Sequence, residues 1–371
     1  MKKIKFANHF LPRYFSCKCL FLFIIGISFY KIGFPQIVHP GKRHGREQRP
    51  FTGLLQPTTT TPNETLVTMF TTFKVSELRR DMNHNTLRFW ASLRPALQPV
   101  LFYTPQDDVT FLQKARDLGW LTFEVPRLRH NVPVVKDMFM FVRDQVATRS
   151  VFFGYANSDI VFTSRLLDIL KYFSKYSWTD SKNADDKKVM LFGNRHDVFV
   201  EDLNPFTSPV SEKSVKESKV TLKKGNIFAM DYFIMTHDTF PFENLPDFVV
   251  GKAGWDSYML IMALDLNLRS VDCSQAMTAL HQVTSFDTLD RGWLADNPCM
   301  NRDLVEPFYW NNGHLKCLKF RLMFLENNFE LNPNLDRPKT CDKGKAKSKS
   351  CRREVEARRK HFERRAQKVK E

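Results

Sequence analysis

The sequence predicts an α/β fold, a mainly parallel sheet flanked by helices, carried behind an N-terminal transmembrane anchor. Three observations predict it. Short apolar, β-rich runs alternate with helical stretches from Leu66 to Thr163. The chain of 371 residues is 43% hydrophobic and 13% aromatic, ample for a sizeable core in one large or two ordinary domains and unlike a disordered protein. Near the start, an acid-free basic stretch precedes a run of mostly apolar residues.

That first stretch reads as an address. Residues 1–18 carry Lys2, Lys3, Lys5, Arg13 and Lys18 and form a cytoplasmic tail; residues 19–38 form a signal anchor broken only by Lys31, Pro35 and Gln36. A cleaved signal peptide is the competing reading, but no clean small-x-small cleavage site follows the apolar run. Basic residues on both sides nearly balance, and the acid-free tail points the amino terminus inward. Residues 39–63, rich in Pro, Gly and Thr, form a stem, and Asn63-Glu64-Thr65 is an N-glycosylation sequon where a lumenal acceptor would be exposed. The expectation is a single-pass type II protein of the Golgi or endoplasmic reticulum membrane, with residues 64–333 as a lumenal domain and 334–371 as a basic tail.

The strands and helices follow in order. Leu66 to Phe73 reads as a first strand, with a helix around Thr86 to Leu97; Pro99 to Tyr103 is a second strand, followed by a helix from Val109 to Leu118. Leu121 to Val125 is a third strand, and the helix Met138 to Thr148 leads into Ser150. Thr71 and Thr72, at the end of the first strand, suit either a nucleotide contact or an ordinary strand end.

Ser150 to Thr163, SVFFGYANSDIVFT, reads as a buried central strand that ends in the polar knot Asn157-Ser158-Asp159. Such a knot is first of all what a turn uses, and it also suits a site holding a cation and the phosphates it bridges. An amphipathic helix follows from Thr163 to Phe173, and 178–188 reads as a surface loop. Val189 to Phe192 is a strand emptying into Gly193-Asn194-Arg195-His196-Asp197, where Arg195 could meet phosphate or sugar and Asp197 an acceptor hydroxyl, or both could close a turn with a salt bridge. Asn204 to Lys224 reads as a mobile loop or lid, and Asn226 to Met235 as a strand whose embedded Asp231 needs a partner, either substrate or buried structure.

Two later stretches complete the pattern. Val249 to Leu260, VVGKAGWDSYML, is a strand end, a glycine-bearing turn and a helix opened by Trp255-Asp256; Val271 to Gln282, VDCSQAMTALHQ, delivers His281. With the Asn157-Ser158-Asp159 triplet, these segments resemble the active-site parts of GT-A-type glycosyltransferases, Rossmann-related enzymes that use nucleotide sugars. The match spans roughly Leu66 to Gln282 by order and character.

The resemblance implies a metal-assisted transfer of sugar from a nucleotide-diphosphate donor to an acceptor hydroxyl on a glycan or glycoprotein. It implies Asp159 and His281 as ligands of a divalent cation, Mn²⁺ more than Mg²⁺ for an oxygen and imidazole set. Asp256 is implied as the general base, with Asn157, Ser158, Arg195, Asp197, Asp231 and Trp255 around donor and acceptor. Read on their own, Asp256 also suits a helix start, His281 a satisfied core histidine, and Trp255 either an apolar wall for a sugar or core filling. The sequence departs from the pattern in Asn157, where the family often has aspartate. A secretory-pathway binding protein keeping the fold without catalysis is the alternative.

Charge separates a third possibility. The formal net charge is +16, but from Asp336 to Glu371 about fifteen Lys and Arg face about six acids, so roughly nine of the excess charges sit in the tail. The middle is nearer neutral, and no nucleic-acid partner is expected. Cys273, Cys299, Cys317, Cys341 and Cys351 would be lumenal, an odd number that allows up to two bridges and a leftover thiol; Cys17 and Cys19 sit at the membrane boundary. The tail reads as a polar helix or a disordered, solvated arm, and the glycosyltransferase resemblance implies that the region around Phe308-Tyr309-Trp310 shapes an acceptor pocket.

Overall fold

Strand β1 (Val67–Thr72) is buried almost throughout because it lies inside a sheet, paired on both edges, with apolar layers on both sides. Val67 and Met69 face one core cluster and Phe70 the other, the alternation a pleated strand imposes. The computed structural model describes residues 65–74, 76–176, 188–284, 297–306, 308, 310–341, 351–353, 355–357 and 360. All belong to one unit running from Thr59 to Glu371. The expected anchor, stem and sequon asparagine, the loop from 178 to 187, and Asp287, Asp290, Asp296 and Tyr309 lie outside the described residues. Among those described, no helix is long and apolar enough to cross a membrane.

After β1 come α1 (Arg80–Ala91), β2 (Leu97–Tyr103), α2 (Val109–Asp117, capped by the Asp108 side chain on the Thr110 N–H) and β3 (Leu121–Glu124). The first helix was expected over Thr86 to Leu97; it starts earlier and stops ahead of Pro95, whose ring cannot continue a helix. A small hairpin, β4 (Leu128–Arg129) and β5 (Val132–Pro133), turns through His130 and Asn131 at positive φ. Then follow α3 (Val135–Phe141), β6 (Phe152–Ala156), β7 (Ile160–Phe162) and α4 (Arg165–Lys175).

The second half holds β8 (Met190–Phe199), α5 (Glu212–Glu217), β9 (Lys223–Lys224), β10 (Met230–Thr236) and α6 (Trp255–Asp265). It continues with β11 (Ser270–Gln275), β12 (Ala279–Val283), β13 (Phe320–Leu325) and β14 (Asn328–Pro333). Along the sheet the order is β14-β13-β11-β8-β10-β6-β1-β2-β3, with β12 joined to β7 and β8. The helices α1, α2 and α4 cover one face with Trp90, Phe111 and Ile169, and α3 and α6 cover the other with Phe139 and Met259. Each such side chain contributes about 1.5–3 kcal/mol on burial.

The sheet is mixed rather than mainly parallel. β1, β2, β3 and β6 run parallel, but β10 lies antiparallel between β6 and β8, and β14 returns antiparallel to β13. The polar cluster Gly193 to Asp197 was expected at a strand end and lies instead inside β8, which changes partners along its length. Its first half pairs with β10 and β11, and its second half with β12 and β9. Gly193 stands at the changeover; a β-carbon there would lie 1.7 Å from the Tyr232 hydroxyl, so only glycine permits the approach.

Two further expectations are corrected. The segment from Asn204 to Lys224 is no lid: Phe206, Val210 and Val215 are buried in a third apolar cluster, and Glu212 accepts from the hydroxyls of Thr163 and Thr278. The segment from Val271 to Gln282 is two strands, and the second, β12, is the one that carries His281. Disulfides join Cys299 to Cys351 and Cys317 to Cys341, leaving Cys273 as a buried thiol, so the start of the basic tail is tied to the domain.

Candidate functional site

The triplet is a corner pinned from three sides. Asn157 N–H donates to the Asp231 carbonyl at 2.9 Å, Gln282 N–H donates to the Asp159 carbonyl at 2.9 Å, and the Thr86 hydroxyl donates to the Ser158 carbonyl at 2.6 Å. With the backbone of β6 and β7 thus fixed to α1, β10 and β12, the side chain of Asp159 has little freedom. One of its oxygens lies 3.6 Å from Nε2 of His281 and 3.6 Å from the guanidinium of Arg79.

His281 reaches this point by register. On β12 it stands opposite Asp197 of β8, and its Nδ1–H donates to the Asp197 carboxylate at 2.9 Å. Arg195, two residues from Asp197 and hence on the same face of β8, places Nε 3.2 Å from Asp197 and an Nη 2.8 Å from Asp231. Asp231 also accepts from the Asn157 carboxamide at 2.7 Å, and the Asn157 oxygen accepts from the Tyr155 hydroxyl at 2.8 Å. Tyr155, Asn157, Asp231, Arg195, Asp197, His281, Asp159 and Arg79 therefore form one continuous polar chain. Residues as far apart in sequence as Asp159 and His281 are held 3.6 Å from one another.

Electrostatics follows from that chain. Burial disfavours the charged imidazole of His281, but the carboxylates of Asp159 and Asp197 on its two sides win and lift its pKa to about 9. Burial likewise opposes the Asp159 carboxylate, and His281, Arg79 and Arg195 outweigh it and pull its pKa to about 2. Asp197 is lowered: burial opposes this, and the His281 hydrogen bond prevails. The Tyr155 phenol is raised, first by burial and then by the fields of Asp159, Asp231 and Asp256.

Asp256 opens α6 in a different setting. The preceding Gly254 has φ +111, a conformation glycine adopts freely, and it lets the chain turn into the helix. Asp256 lines a cavity of about 400 Å³ together with Arg195 and Asp231. Burial raises its pKa to about 6 against the opposing Ser257 N–H bond, and the Asp231 charge adds to the rise. That N–H donates to one carboxylate oxygen at 2.8 Å.

The structure thus brings together Asp159, His281, Asp197, Arg195, Asp231 and Asn157, with Asp256 across the cavity wall from Arg195 and Asp231. Asn157 has both ends of its carboxamide engaged and serves as a tether between Tyr155 and Asp231. Ser158 joins the corner through its backbone carbonyl. Trp255 belongs to the core: it is 6% exposed and packs on Tyr155 and Phe233 at centroid distances of 5.1 and 5.0 Å. Sequence reasoning missed Tyr155 and Arg79. Tyr155 looked like a strand residue among apolar neighbours, while Arg79 is one of a basic pair at a helix start whose target lies eighty residues away.

Two groups of donors could hold a metal. At Asp159 and His281, Nδ1–H bonded to Asp197 leaves Nε2 as the lone-pair nitrogen facing Asp159 whenever the ring is neutral, and the second Asp159 oxygen is buried and accepts no hydrogen bond among the described residues. A carboxylate and an oriented imidazole fit a divalent cation. His314, Cys317 and Cys341 also lie close together, but the two sulfurs are bonded to each other, so in the oxidised chain they offer no thiolates.

No protein-family model matches the sequence, and no curated protein matches it. Several solved structures are similar in part. A mycobacterial protein has 9% identity and a TM-score of 0.33 over 72% of this chain and 83% of its own. S. aureus TarS 1–349 has 13% identity and a TM-score of 0.31 over 59% of this chain and 58% of its own. The inositol-1-phosphate CTP transferase of T. maritima has 10% identity and a TM-score of 0.28 over 60% of this chain and 87% of its own. Similarity at this level carries no argument about the present site, which rests on its own geometry.

Proposed function

We propose that the chain is a glycosyltransferase of GT-A type that moves a sugar from a nucleotide-diphosphate donor to an acceptor hydroxyl in the Golgi or endoplasmic reticulum lumen, anchored by residues 19–38. The observation that supports the reading is a polar chain that links Asp159 and His281, through Asp197, to Arg195 and Asp231, two residues that line one cavity with Asp256. In this reading Asp159 and His281 hold a divalent cation, Mn²⁺ before Mg²⁺, with Asp197 orienting the imidazole. When bound, that cation supplies positive charge against the leaving diphosphate.

The chain's own residues do the rest. Arg195, locked by Asp231 and Asp197, lines the cavity beside Asp231, and the Asn157 tether holds Asp231 against the triplet corner. Asp256 takes the proton of the acceptor hydroxyl on its carboxylate. As the acceptor oxygen bonds to the anomeric carbon, the bond to phosphate breaks and its electron pair leaves with the diphosphate. A carboxyl with a pKa of about 6 is ionised at neutral pH yet more basic than a solvated one, which suits a general base.

The test is a panel of nucleotide sugars incubated with the full chain, with and without Mn²⁺, followed by release of the nucleoside diphosphate. Metal-dependent release that vanishes in Asp159→Ala is expected. Undiminished release in that variant would remove the reading.

A further inference from the structure

Arg302, Trp310, Phe228 and Asn226 share the cavity with Asp231 and Asp256, and nothing in the transfer chemistry above uses them. Their arrangement is specific. Arg302 is 4% exposed, stands over the Trp310 ring at 5.1 Å, and is ion-paired with Glu306 at 3.4 Å. Both press on the turn that presents Asp256: a β-carbon on Gly254 would lie 2.9 Å from the Arg302 side chain and 3.2 Å from the Trp310 ring. Phe228 is 41% exposed, large for a phenylalanine at the wall of a cavity. The Asn226 carboxamide oxygen is taken by the Phe228 N–H at 2.8 Å, so its amino group is the half that remains for a ligand. The Trp310 indole N–H has no hydrogen-bond partner among the described residues.

The charges in this wall are already matched. Arg195 is spent on Asp231 and Asp197, and Arg302 on Glu306, while Asp256 faces the same space. A ligand bearing a carboxylate, sulfate or phosphate would meet acids there and would have to break an existing ion pair to find a cation. A pyranose ring has the opposite needs: an apolar C–H face for an aromatic wall and hydroxyls for amide and guanidinium donors.

We infer that this wall is a subsite for an uncharged sugar, and that the acceptor is a neutral glycan end rather than an acidic one. The inference rests on the transferase reading for the word acceptor, but the binding itself can be measured without turnover. Saturation-transfer NMR on the full chain would compare lactose, maltose and chitobiose with 3′-sialyllactose, in the presence and absence of UDP and Mn²⁺.

Binding of at least one neutral disaccharide is expected, about tenfold weaker or more in Trp310→Ala and in Phe228→Ala. Because Phe228 is partly exposed, its variant should fold even where Trp310→Ala does not. Glu306→Gln, which removes the negative charge 3.4 Å from Arg302, should raise sialyllactose binding several-fold while leaving neutral binding within about twofold. Equal binding of neutral and acidic sugars by the unaltered chain would overturn the inference. So would binding of none, neutral binding insensitive to Phe228→Ala, or displacement of the sugar by UDP, which would give the wall to the donor. Sugar binding without any nucleotide or metal binding would keep this subsite and remove the transferase, and nucleotide binding without sugar would do the reverse.

Discussion

Asp159, in the turn between β6 and β7, and Asp256, in the first turn of α6, are two aspartates that the protein treats in opposite ways. Asp159 sits in a corner whose backbone is held by three elements, beside an imidazole and a guanidinium, and its pKa falls to about 2. Asp256 sits at a helix start, held by backbone N–H bonds and with another acid nearby, and burial raises its pKa to about 6. A carboxylate kept charged at every physiological pH suits holding positive charge. One poised near neutrality suits taking a proton. Pushing apart the acidities of two similar groups is the usual way a site divides such labour.

The largest expected break in this contrast is Asp159→Ala. It strips His281 of the acid on its Nε2 side and leaves Arg79 and His281 facing one another, so a loss of about 3–5 kcal/mol of stability is expected alongside loss of turnover. Thermal melts with and without Mn²⁺ would read the first, and diphosphate release the second. If the variant melts with the unaltered protein, the corner is not the charged pair described here.

Asp256→Asn should separate function from stability. Turnover should fall by about 10² to 10⁴. Stability should move the other way, and the sign follows from the raised pKa. The folded chain holds this proton more tightly than the unfolded one, so stability is lost as the pH rises from about 4 to about 6 and stays lost above that. Removing the charge should therefore add on the order of 1–2 kcal/mol at pH 7 and nothing at pH 3.5. Denaturant midpoints at the two pH values measure this; a variant destabilised at pH 7 would show the carboxylate to be favourably held.

The same contrast has a pH signature in the metal-free chain. The raised pKa of His281 contributes stability that is complete below about 6.5 and lost as the pH climbs through about 9. The lowered pKa of Asp159 contributes stability that is complete above about 4 and lost as the pH falls through about 2. In EDTA, the chain should lose on the order of 1–3 kcal/mol between pH 7 and pH 10, and His281→Gln should flatten that limb. On the proposed reading, with Asp256 as the general base, turnover should instead rise about tenfold per pH unit up to about 6 and then level. Coincident profiles would mean that one group controls both.

How much of this was legible in the sequence differs between the two regions for a physical reason. The β-rich runs of β1, β2 and β6 and the helix α2 are set by local periodicity, and the sequence reveals them within a few residues. Asp159, Asp256 and His281 were legible as candidates because each ends or opens a periodic segment. The antiparallel return of β10 was not legible, since direction depends on pairing and not on pattern. Nor was the partner of Asp231: Arg195 and Asn157 meet it only because β8, β10 and the triplet corner converge. Glu212 shows the same limit, its two threonine partners turning a polar, Ser- and Lys-rich loop into packed structure. Trp255 looked like a ligand wall beside an acid, but a helix start presents neighbouring residues in different directions, and its ring faces the core.

The smallest and sharpest change is Asn157→Asp, which restores the acid that the glycosyltransferase pattern often carries. In this chain the asparagine amino group donates to Asp231 at 2.7 Å while its oxygen accepts from Tyr155. A carboxylate there keeps the Tyr155 bond but sets two acids against one another, which should cost about 1–3 kcal/mol in EDTA. A cation at Asp159 and His281 would gain a third nearby negative charge, so Mn²⁺ should return most of the loss and bind several-fold tighter than to the unaltered chain. Calorimetric Mn²⁺ titration with melts in both conditions distinguishes the outcomes. Destabilisation that Mn²⁺ does not relieve would mean that residue 157 tethers Asp231 and lies out of reach of any cation, leaving Asp159 as the triplet's sole contribution to charge at that corner.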